Sequence, residues 1–244
     1  MIKRIINLFK ITKKIKKLIT CPQYKIIYFI IFIKLNIAFW QKINQKIIKA
    51  RNVMKDNSKL GGWIDPDSAS IIYACLRCLK PQIIVETGIG PGMSSLIILK
   101  AIKDNRIGKL FSIDLPGEDK KYYPTIGKNY NVHVPSDYVV GWLVDKVYFP
   151  YWEKLIGDSK DILPDLIIKL GSVDVFMHDS LHTDEQIDFE FSLIKRYANA
   201  ATLYICDDVN KYWSEEFIKF TNNNNIDNLV YRNRLGIGKQ NLRL

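Results

Sequence analysis

The sequence predicts an α/β fold in which a doubly wound, mostly parallel sheet carries helices on both faces. Three observations support this class. An apolar run at Ile83–Val85 leads through a glycine-rich turn into a helical pattern over Ser94–Ile102, the strand–turn–helix order of parallel sheets. Short apolar runs then alternate with amphipathic segments towards the C-terminus. Acidic residues close four of these runs, and parallel strands place such ends along one edge, where ligands bind.

The basic charge of the chain is confined to its N-terminal part. Residues 1–50 hold eleven Lys, one Arg and no acidic residue, a charge of +12. The whole chain carries +11, with 36 basic and 25 acidic residues, so the remaining 194 residues carry −1. A neutral body argues against a nucleic-acid partner. We therefore divide the chain into a basic amphipathic helical extension at 1–50 and a globular domain at 51–244.

The extension combines two kinds of helical pattern. In residues 1–20, apolar side chains recur at helical spacing opposite lysines, which is typical of helices that lie on an anionic membrane surface. Residues 26–40 are more apolar but are interrupted by Lys34 and Asn36, and the run is shorter than the ~20 residues of a membrane span. Three interpretations stay open: packing on the domain or on a partner subunit in a homo-oligomer, peripheral membrane contact through residues 1–40, and a membrane anchor. We expect a cytoplasmic protein without a cleaved signal peptide, with any membrane contact on the inner face.

A helix is expected over Ala69–Leu79, capped by Asp67 or Ser68. It carries Cys75 and Cys78, whose spacing places both side chains on one helix face. Because no second Cys or His pair completes a metal site, we expect buried free thiols, no disulfide framework and a reducing compartment.

The glycine-rich turn carries the first ligand signal. Gly88, Gly90 and Gly92 form G-x-G-x-G, and Met93 excludes the G-x-G-x-x-G pattern of dinucleotide-binding turns. Glu86 precedes the turn, where a carboxylate repels a pyrophosphate but can pair with an ammonium group. The alternative is a strand–turn–helix corner with structural glycines.

A second strand, Lys109–Asp114, also ends in a carboxylate. At the tip of the second strand of nucleoside-binding folds, an acidic residue accepts hydrogen bonds from the ribose hydroxyls. The alternative for Asp114 is a capping or loop residue. The connection that follows, residues 115–150, is long enough to predict a lid or an acceptor-binding insert.

Two later strands supply a further acidic group. One, Val173–Met177, leads into His178-Asp179-Ser180-Leu181-His182, and the other, Ala201–Val209, contains Asp207 and Asp208. Carboxylates from adjacent strand tips suit Mg²⁺ or another divalent cation, so Asp179, Asp207 and Asp208 are the candidate metal ligands. His182 is the candidate general base beside Asp179. Its alternative is a helix-start residue bonded to backbone.

Taken together, these motifs resemble the class I S-adenosylmethionine (SAM) dependent methyltransferases over roughly residues 65–240. The closest resemblance is to small-molecule and sugar O-methyltransferases of the macrocin and catechol type. It rests on the acidic residue before G-x-G-x-G, on Gly-Asp-Ser-Lys-Asp-Ile-Leu-Pro at 157–164, on His-Asp-Ser-Leu-His-Thr at 178–183 and on Asp-Asp-Val at 207–209. It departs at Asp208, where catechol-type enzymes commonly have Asn, and at His182, where they use a lysine base elsewhere.

The resemblance implies a Rossmann-like, seven-stranded sheet with an antiparallel C-terminal hairpin formed by Leu229–Arg232 and Leu235–Lys239. It also implies SAM as cofactor, with the Asp158 turn beside the adenine or, alternatively, capping the next helix. The expected cofactor-binding residues are Glu86, Thr87, Gly88, Gly90, Gly92, Ser94, Asp114, Asp158, Ser159 and Asp179.

The expected reaction is methyl transfer to a hydroxyl of a small molecule or glycan. Two other functions are alternatives. An NAD-dependent nucleotide-sugar enzyme would require the absent G-x-G-x-x-G and a Tyr-x-x-x-Lys pair, which the sequence lacks. A non-catalytic, membrane-associated nucleoside-binding protein would not require acids at the strand tips.

Overall fold

A computed structural model describes residues 2–53, 64–115, 134, 138–210 and 215–240 of the 244-residue chain. Within these ranges the chain forms eight α-helices and seven strands. The helices are α1 (Ile2–Ile19), α2 (Gln23–Lys34), α3 (Ile37–Val53), α4 (Pro66–Leu79), α5 (Met93–Asn105), α6 (Ser159–Leu170), α7 (Asp184–Arg196) and α8 (Glu215–Asn223). The strands are β1 (Ile83–Thr87), β2 (Lys109–Asp114), β3 (Trp152–Ile156), β4 (Val173–His178), β5 (Ala198–Cys206), β6 (Ile226–Tyr231) and β7 (Leu235–Gln240). A 3₁₀ helix at Lys146–Tyr151 precedes β3.

The seven strands form one sheet in the order β3-β2-β1-β4-β5-β7-β6. The first five pair in parallel, and β7 runs antiparallel to both β5 and β6. This confirms the predicted Rossmann-like α/β fold, including the C-terminal hairpin, which begins earlier than predicted.

Successive strand residues bury their side chains on opposite faces of the sheet, as the period of two requires. Ile84 and Met177 pack in a core with the N-terminal helices, α4 and α5. Val85 and Phe176 pack in a second core with α6, α7 and α8. Because both faces are covered, the central strands are apolar over most of their length, as at 83–85 and 175–177, and these runs made them recognisable in the sequence.

The N-terminal extension packs on the domain, which confirms the first of its three interpretations. The apolar face of α1, including Ile15 and Leu18, is buried in the same core as α4 and α5. Protein therefore covers the apolar side chains of α1 that the structure describes, and membrane contact through residues 1–40 stays a prediction. Among the described residues no single helix has the length and hydropathy of a membrane span, although α2 and α3 taken together meet those criteria across a 46° bend.

Two expectations for α4 need correction. The helix begins at Pro66 and its cap is Asp65, whose side chain accepts from the N–H groups of Asp67 and Ser68. Proline suits the first helical position because it has no N–H to leave unsatisfied. Cys78 is not a free thiol but forms a disulfide with Cys21, at a Cα–Cα distance of 6.1 Å. Cys75 is buried and outside any disulfide, as predicted.

Candidate active site at the carboxyl edge of the sheet

The strand tips are brought together by a backbone ladder that continues beyond the strands. The N–H of Gly88 donates to Ile113 O at 2.9 Å, and the N–H of Asp179 donates to Thr87 O at 2.8 Å. The N–H of Asp207 donates to His178 O at 3.0 Å. The acids that follow β1, β2, β4 and β5 therefore share one edge, as the sequence predicted.

Gly88 and Gly90 fit a turn that leaves room for a ligand. Gly88 has φ +85°, and a Cβ there would lie 1.9 Å from Asp179 O. The β1 turn and the β4 tip therefore pack closely only because this residue is glycine. Gly90 has φ +49°, and among the described residues no atom lies within 4 Å of the position that its Cβ would take. The open side of Gly90 is the space in which a cofactor can approach the backbone.

Glu86 is fully buried beside this turn with one oxygen available. Its Oε2 accepts from the hydroxyls of Ser95 at 2.5 Å and Ser112 at 2.7 Å. Its Oε1 is buried without a hydrogen-bond partner among the residues that the structure describes. Burial raises the pKa of Glu86 to about 7, against the effect of hydroxyls that include Ser94. A buried carboxylate oxygen of this kind is a candidate contact for a donor group of a ligand.

Asp114 holds the glycine turn in place. Its Oδ2 accepts from the N–H groups of Ile89 at 2.8 Å and Gly90 at 2.7 Å, and its Oδ1 accepts from the N–H of Leu115 at 2.7 Å. Burial raises the pKa of Asp114, although these N–H groups work to lower it. A carboxylate has about four lone-pair sites, so the predicted ribose contact adds to this structural role rather than competing with it.

The segment at 140–145 lies against the glycine turn. The N–H of Gly141 donates to Gly90 O at 2.8 Å, and the N–H of Leu143 donates to Pro91 O at 2.9 Å. Helix α3 supports this segment, since Lys46 Nζ donates to Leu143 O at 2.6 Å and also pairs with Asp145. Most of the predicted acceptor-binding insert at 115–150 lies outside the described residues, and this part of it borders the cofactor turn.

The turn at 158–159 has a structural role. The Asp158 side chain caps α6 by accepting from the N–H of Lys160 at 2.8 Å, the alternative that the sequence left open. The hydroxyl of Ser159 donates to Glu190 Oε1 at 2.8 Å and accepts from Gln186. The adenine contacts of both residues stay predictions.

Glu190 is the site residue that the sequence did not reveal. It lies fully buried on α7 and accepts from the hydroxyls of Thr87 at 2.6 Å, Ser159 at 2.8 Å and Ser180 at 3.2 Å. His178 Nδ1 lies 2.7 Å from its Oε2. Thr87 and Ser159 are themselves predicted cofactor contacts, and Ser180 follows another, Asp179. This one carboxylate therefore joins the end of β1, the start of α6 and the residues after β4.

The pKa of Glu190 follows from this network. Burial acts to raise it, but His178 and the donating hydroxyl and amide groups outweigh burial, so the pKa lies below its ordinary value. The carboxylate stays ionised at neutral pH. A glutamate in an amphipathic helix is usually exposed. The sequence therefore does not show that Glu190 is buried, and only its hydrogen bonds with Thr87, Ser159 and Ser180 identify it as a site residue.

Asp179 and His182 lie beyond β4 with shifted proton affinities. Burial, followed by the charges of Asp207, Glu86, Asp208 and Asp114, raises the pKa of Asp179 well above its ordinary value. Burial and the neighbouring His178 lower the pKa of His182 to about 3. The His182 imidazole is therefore neutral at pH 7, which is the form that a general base requires, but it is a weak base. The Asp179 carboxylate is a stronger base than an ordinary aspartate, because its pKa is raised.

Two of the candidate metal ligands, Asp207 and Asp208, lie beside the side chain of Arg234. Arg234 Nε lies 3.8 Å from Asp207 Oδ1 and 3.5 Å from Asp208 Oδ1. Burial, followed by Asp208, raises the pKa of Asp207 to about 6, which Arg234 opposes. In the described part of the chain, no group of three or more His, Cys, Asp or Glu side chains is arranged to hold a metal ion. Arg234 therefore competes with any divalent cation for Asp207 and Asp208, and the metal site stays a prediction.

Comparison with known proteins agrees with this geometry. Residues 85–209, about half of the chain, match a family described as a methyltransferase domain. The fold matches the SAH-bound methyltransferase PaMTH1 of Podospora anserina, with a TM-score of 0.54 and 15% identity over 82% of this chain and 88% of that one. It also matches the O-methyltransferase TomG of Streptomyces achromogenes, solved with SAM, with a TM-score of 0.52 and 12% identity over 80% and 94%. No curated protein sequence matched the chain.

The fold is that of a class I SAM-dependent methyltransferase. The chain belongs to the methyltransferase-domain family.

Proposed function

We propose that the protein transfers the methyl group of SAM to a hydroxyl of a small molecule or glycan. The observation that carries the cofactor assignment is Glu86 Oε1, a buried carboxylate oxygen lacking a partner in the described structure, beside the open side of Gly90. The ammonium group of the cofactor's methionine part fits that oxygen. The neighbouring O-methyltransferase folds support oxygen as the methyl acceptor.

When bound, SAM supplies an electrophilic methyl group on a sulfonium. Transfer forms a C–O bond to the acceptor and breaks the C–S bond, which leaves a methyl ether and S-adenosylhomocysteine (SAH). The chain's contribution is to orient the two reactants and to take the acceptor's proton. Glu86 would hold the ammonium group of the cofactor and Asp114 its ribose. Asp179 and His182, which follow β4 on the same edge, accept the proton as the acceptor oxygen attacks.

Asp179→Asn and His182→Gln test this assignment. With a panel of sugar and catechol hydroxyl acceptors and radiolabelled SAM, we expect Asp179→Asn to lower methyl transfer at least about a hundredfold, the usual contribution of a general base. SAH affinity should stay within about threefold of wild type, since the change affects the base rather than the ammonium site. His182→Gln separates the two candidates, because loss of activity in only one variant identifies the base. Full activity in both variants would remove this edge of the sheet from the mechanism.

We also propose that the protein works beside an anionic membrane on the cytoplasmic side, through the outer face of α2. Tyr24, Tyr28, Ile31 and Leu35 recur at intervals of four, three and four residues and form one exposed apolar stripe, with exposures of 69%, 59%, 43% and 70%. The extension that carries this stripe has a charge of +12. Two copies joined through the stripe would bring like charges together, whereas an anionic lipid surface complements them.

Sedimentation with vesicles tests the membrane proposal. The wild-type protein should bind vesicles that contain phosphatidylserine and not vesicles of phosphatidylcholine alone, and Tyr28→Ser with Leu35→Ser should abolish binding. Ile168→Ser, which removes an apolar side chain of 63% exposure from α6, is the matched control. Absence of binding by the wild type, or a dimer that the double variant dissociates, would overturn the membrane proposal in favour of a homo-oligomer.

A further inference from the structure

Arg234 lies among three carboxylates near the carboxyl end of β5. Its Nε is 3.5 Å from Asp208 Oδ1, 3.7 Å from Asp65 Oδ2 and 3.8 Å from Asp207 Oδ1. The three acids come from the end of β5 and from the cap of α4. No other position along the strand edge, within the described ranges, places a basic side chain against two strand-tip acids.

The backbone holds Arg234 in this position. It is the last residue of the β6–β7 turn, in which Arg232 and Asn233 adopt φ +53° and +51°. The N–H of Val209 donates to Arg234 O at 2.7 Å, so the hairpin turn is fastened to the residue that follows the two acids. The backbone of Arg234 is thus fixed beside Val209, the residue that follows the two acids.

The two acids require a nearby positive charge. Asp207 is buried, with 3% exposure, and Asp208 adjoins it in the left-handed region, with φ +52°. Adjacent carboxylates at a buried edge are costly unless a cation compensates them. A metal ion and a guanidinium can each provide this compensation, but the two cannot occupy the same space.

We propose that Arg234 is the internal cation of this site and stands where related folds would place a divalent metal. In this arrangement the guanidinium, 39% exposed at its side chain, neutralises Asp207 and Asp208. It also presents N–H donors to the oxygens of an acceptor. The acceptor part of the inference rests on the proposed methyl transfer, whereas the exclusion of a metal by Arg234 does not.

The two kinds of cation have different chemical consequences. A guanidinium remains charged at all relevant pH values and offers fixed N–H donors but no coordination positions. It can orient an acceptor oxygen and stabilise negative charge on it, without generating a metal-bound alkoxide. Proton removal then depends on Asp179 and His182. An acceptor that carries an acidic group or several adjacent hydroxyls fits these donors best.

Manganese binding to the full-length protein, measured by electron paramagnetic resonance, tests the proposal without an acceptor. Wild type and Arg232→Gln should show no stoichiometric Mn²⁺ binding. Arg234→Gln should bind one Mn²⁺ per chain, at least about tenfold more tightly than any weak binding by the wild type. The reason is that removal of the positive charge leaves the paired acids to attract a cation. Arg232→Gln is the matched control, since Arg232 lies in the same turn but pairs with Asp67. Arg234→Lys, which keeps the charge, should behave as wild type.

Each other outcome contradicts the proposal. Stoichiometric Mn²⁺ binding by the wild type that is lost in Asp208→Asn would show a metal site at the acids and overturn it. Failure of a folded Arg234→Gln variant to gain Mn²⁺ would show that the guanidinium does not occupy a cation position. If Arg234→Gln does not fold, the wild-type and Arg234→Lys titrations still decide, because binding by either refutes the internal cation. SAH calorimetry on the same samples separates this failure from failure of the proposed methyl transfer.

Discussion

Glu86 and Glu190 are both buried glutamates, but their surroundings give them opposite tasks. Against burial, the pKa of Glu190 is held low by His178, the Thr87 hydroxyl and the Gln186 amide, so this carboxylate is a fixed structural anion. Glu86 has fewer partners, an available oxygen and a pKa of about 7. Glu190 therefore positions neighbouring segments of the site, and Glu86 is the residue that we propose binds the cofactor's ammonium group.

Cofactor binding should therefore depend on pH through Glu86. A cofactor ammonium binds the ionised carboxylate, so affinity should level off above about pH 8 and fall as the pH drops through the pKa of about 7. For a group with a pKa near 7, SAH affinity at pH 6 should be about tenfold weaker than at pH 8. Calorimetry across this range measures the slope, and Glu86→Gln should show weak binding with no such slope. An unchanged slope in Glu86→Gln would assign the titration to another group.

Glu190→Gln should loosen the site and the fold together. The substitution removes the anion from a buried hydrogen-bonded network, which typically costs about 3 kcal/mol in unfolding free energy. SAH affinity should also fall, since Thr87, Ser159 and Ser180 lose a shared acceptor. Urea unfolding with and without SAH measures both effects. Glu185→Gln, an exposed change on the same helix, should alter neither, and equal behaviour of the two variants would remove Glu190 from its proposed role.

At the scale of elements, the N-terminal extension supports the segments that surround the glycine turn. Helix α1 shares a core with α4 and α5, and the Cys21–Cys78 disulfide joins the start of α2 to the end of α4. Helix α3 reaches the site itself, because Lys46 supports the segment that bonds to Gly90 and Pro91. The extension thus does more than attach the domain to a surface.

Lys46→Met tests this contact of α3. Loss of the bond to Leu143 O and of the pair with Asp145 should release the 140–145 segment and weaken SAH binding about fivefold, or ~1 kcal/mol. Lys49→Met removes an exposed lysine from the same helix and should leave the affinity unchanged. Calorimetry of both variants at one pH makes the comparison, and equal affinities would confine the extension to a packing role.

At the scale of the whole molecule, the sequence predicted what local periodicity and strand ends encode. The parallel sheet followed from buried strands such as Ile83–Thr87, and the shared site followed from acids at their tips. What it could not predict depends on contacts distant in sequence. Cys21 forms a disulfide with Cys78, 57 residues away, and Glu190 bonds to Thr87, 103 residues away. The pairing of Arg234 with Asp207 and Asp208 likewise cannot be inferred from the sequence of its own turn. The apolar face of α1 was recognised, but its periodicity could not distinguish a protein core from a membrane.

The measurement that tests the central claim most directly is calorimetric titration of the full chain with SAH, with NADH as control and Glu86→Ala as matched variant. We expect one SAH per chain at micromolar affinity, no heat with NADH, and at least about tenfold weaker binding in the variant, as loss of a buried ion pair requires. A folded wild-type protein that binds no SAH, or that binds it equally well without the Glu86 carboxylate, would contradict the proposed cofactor site.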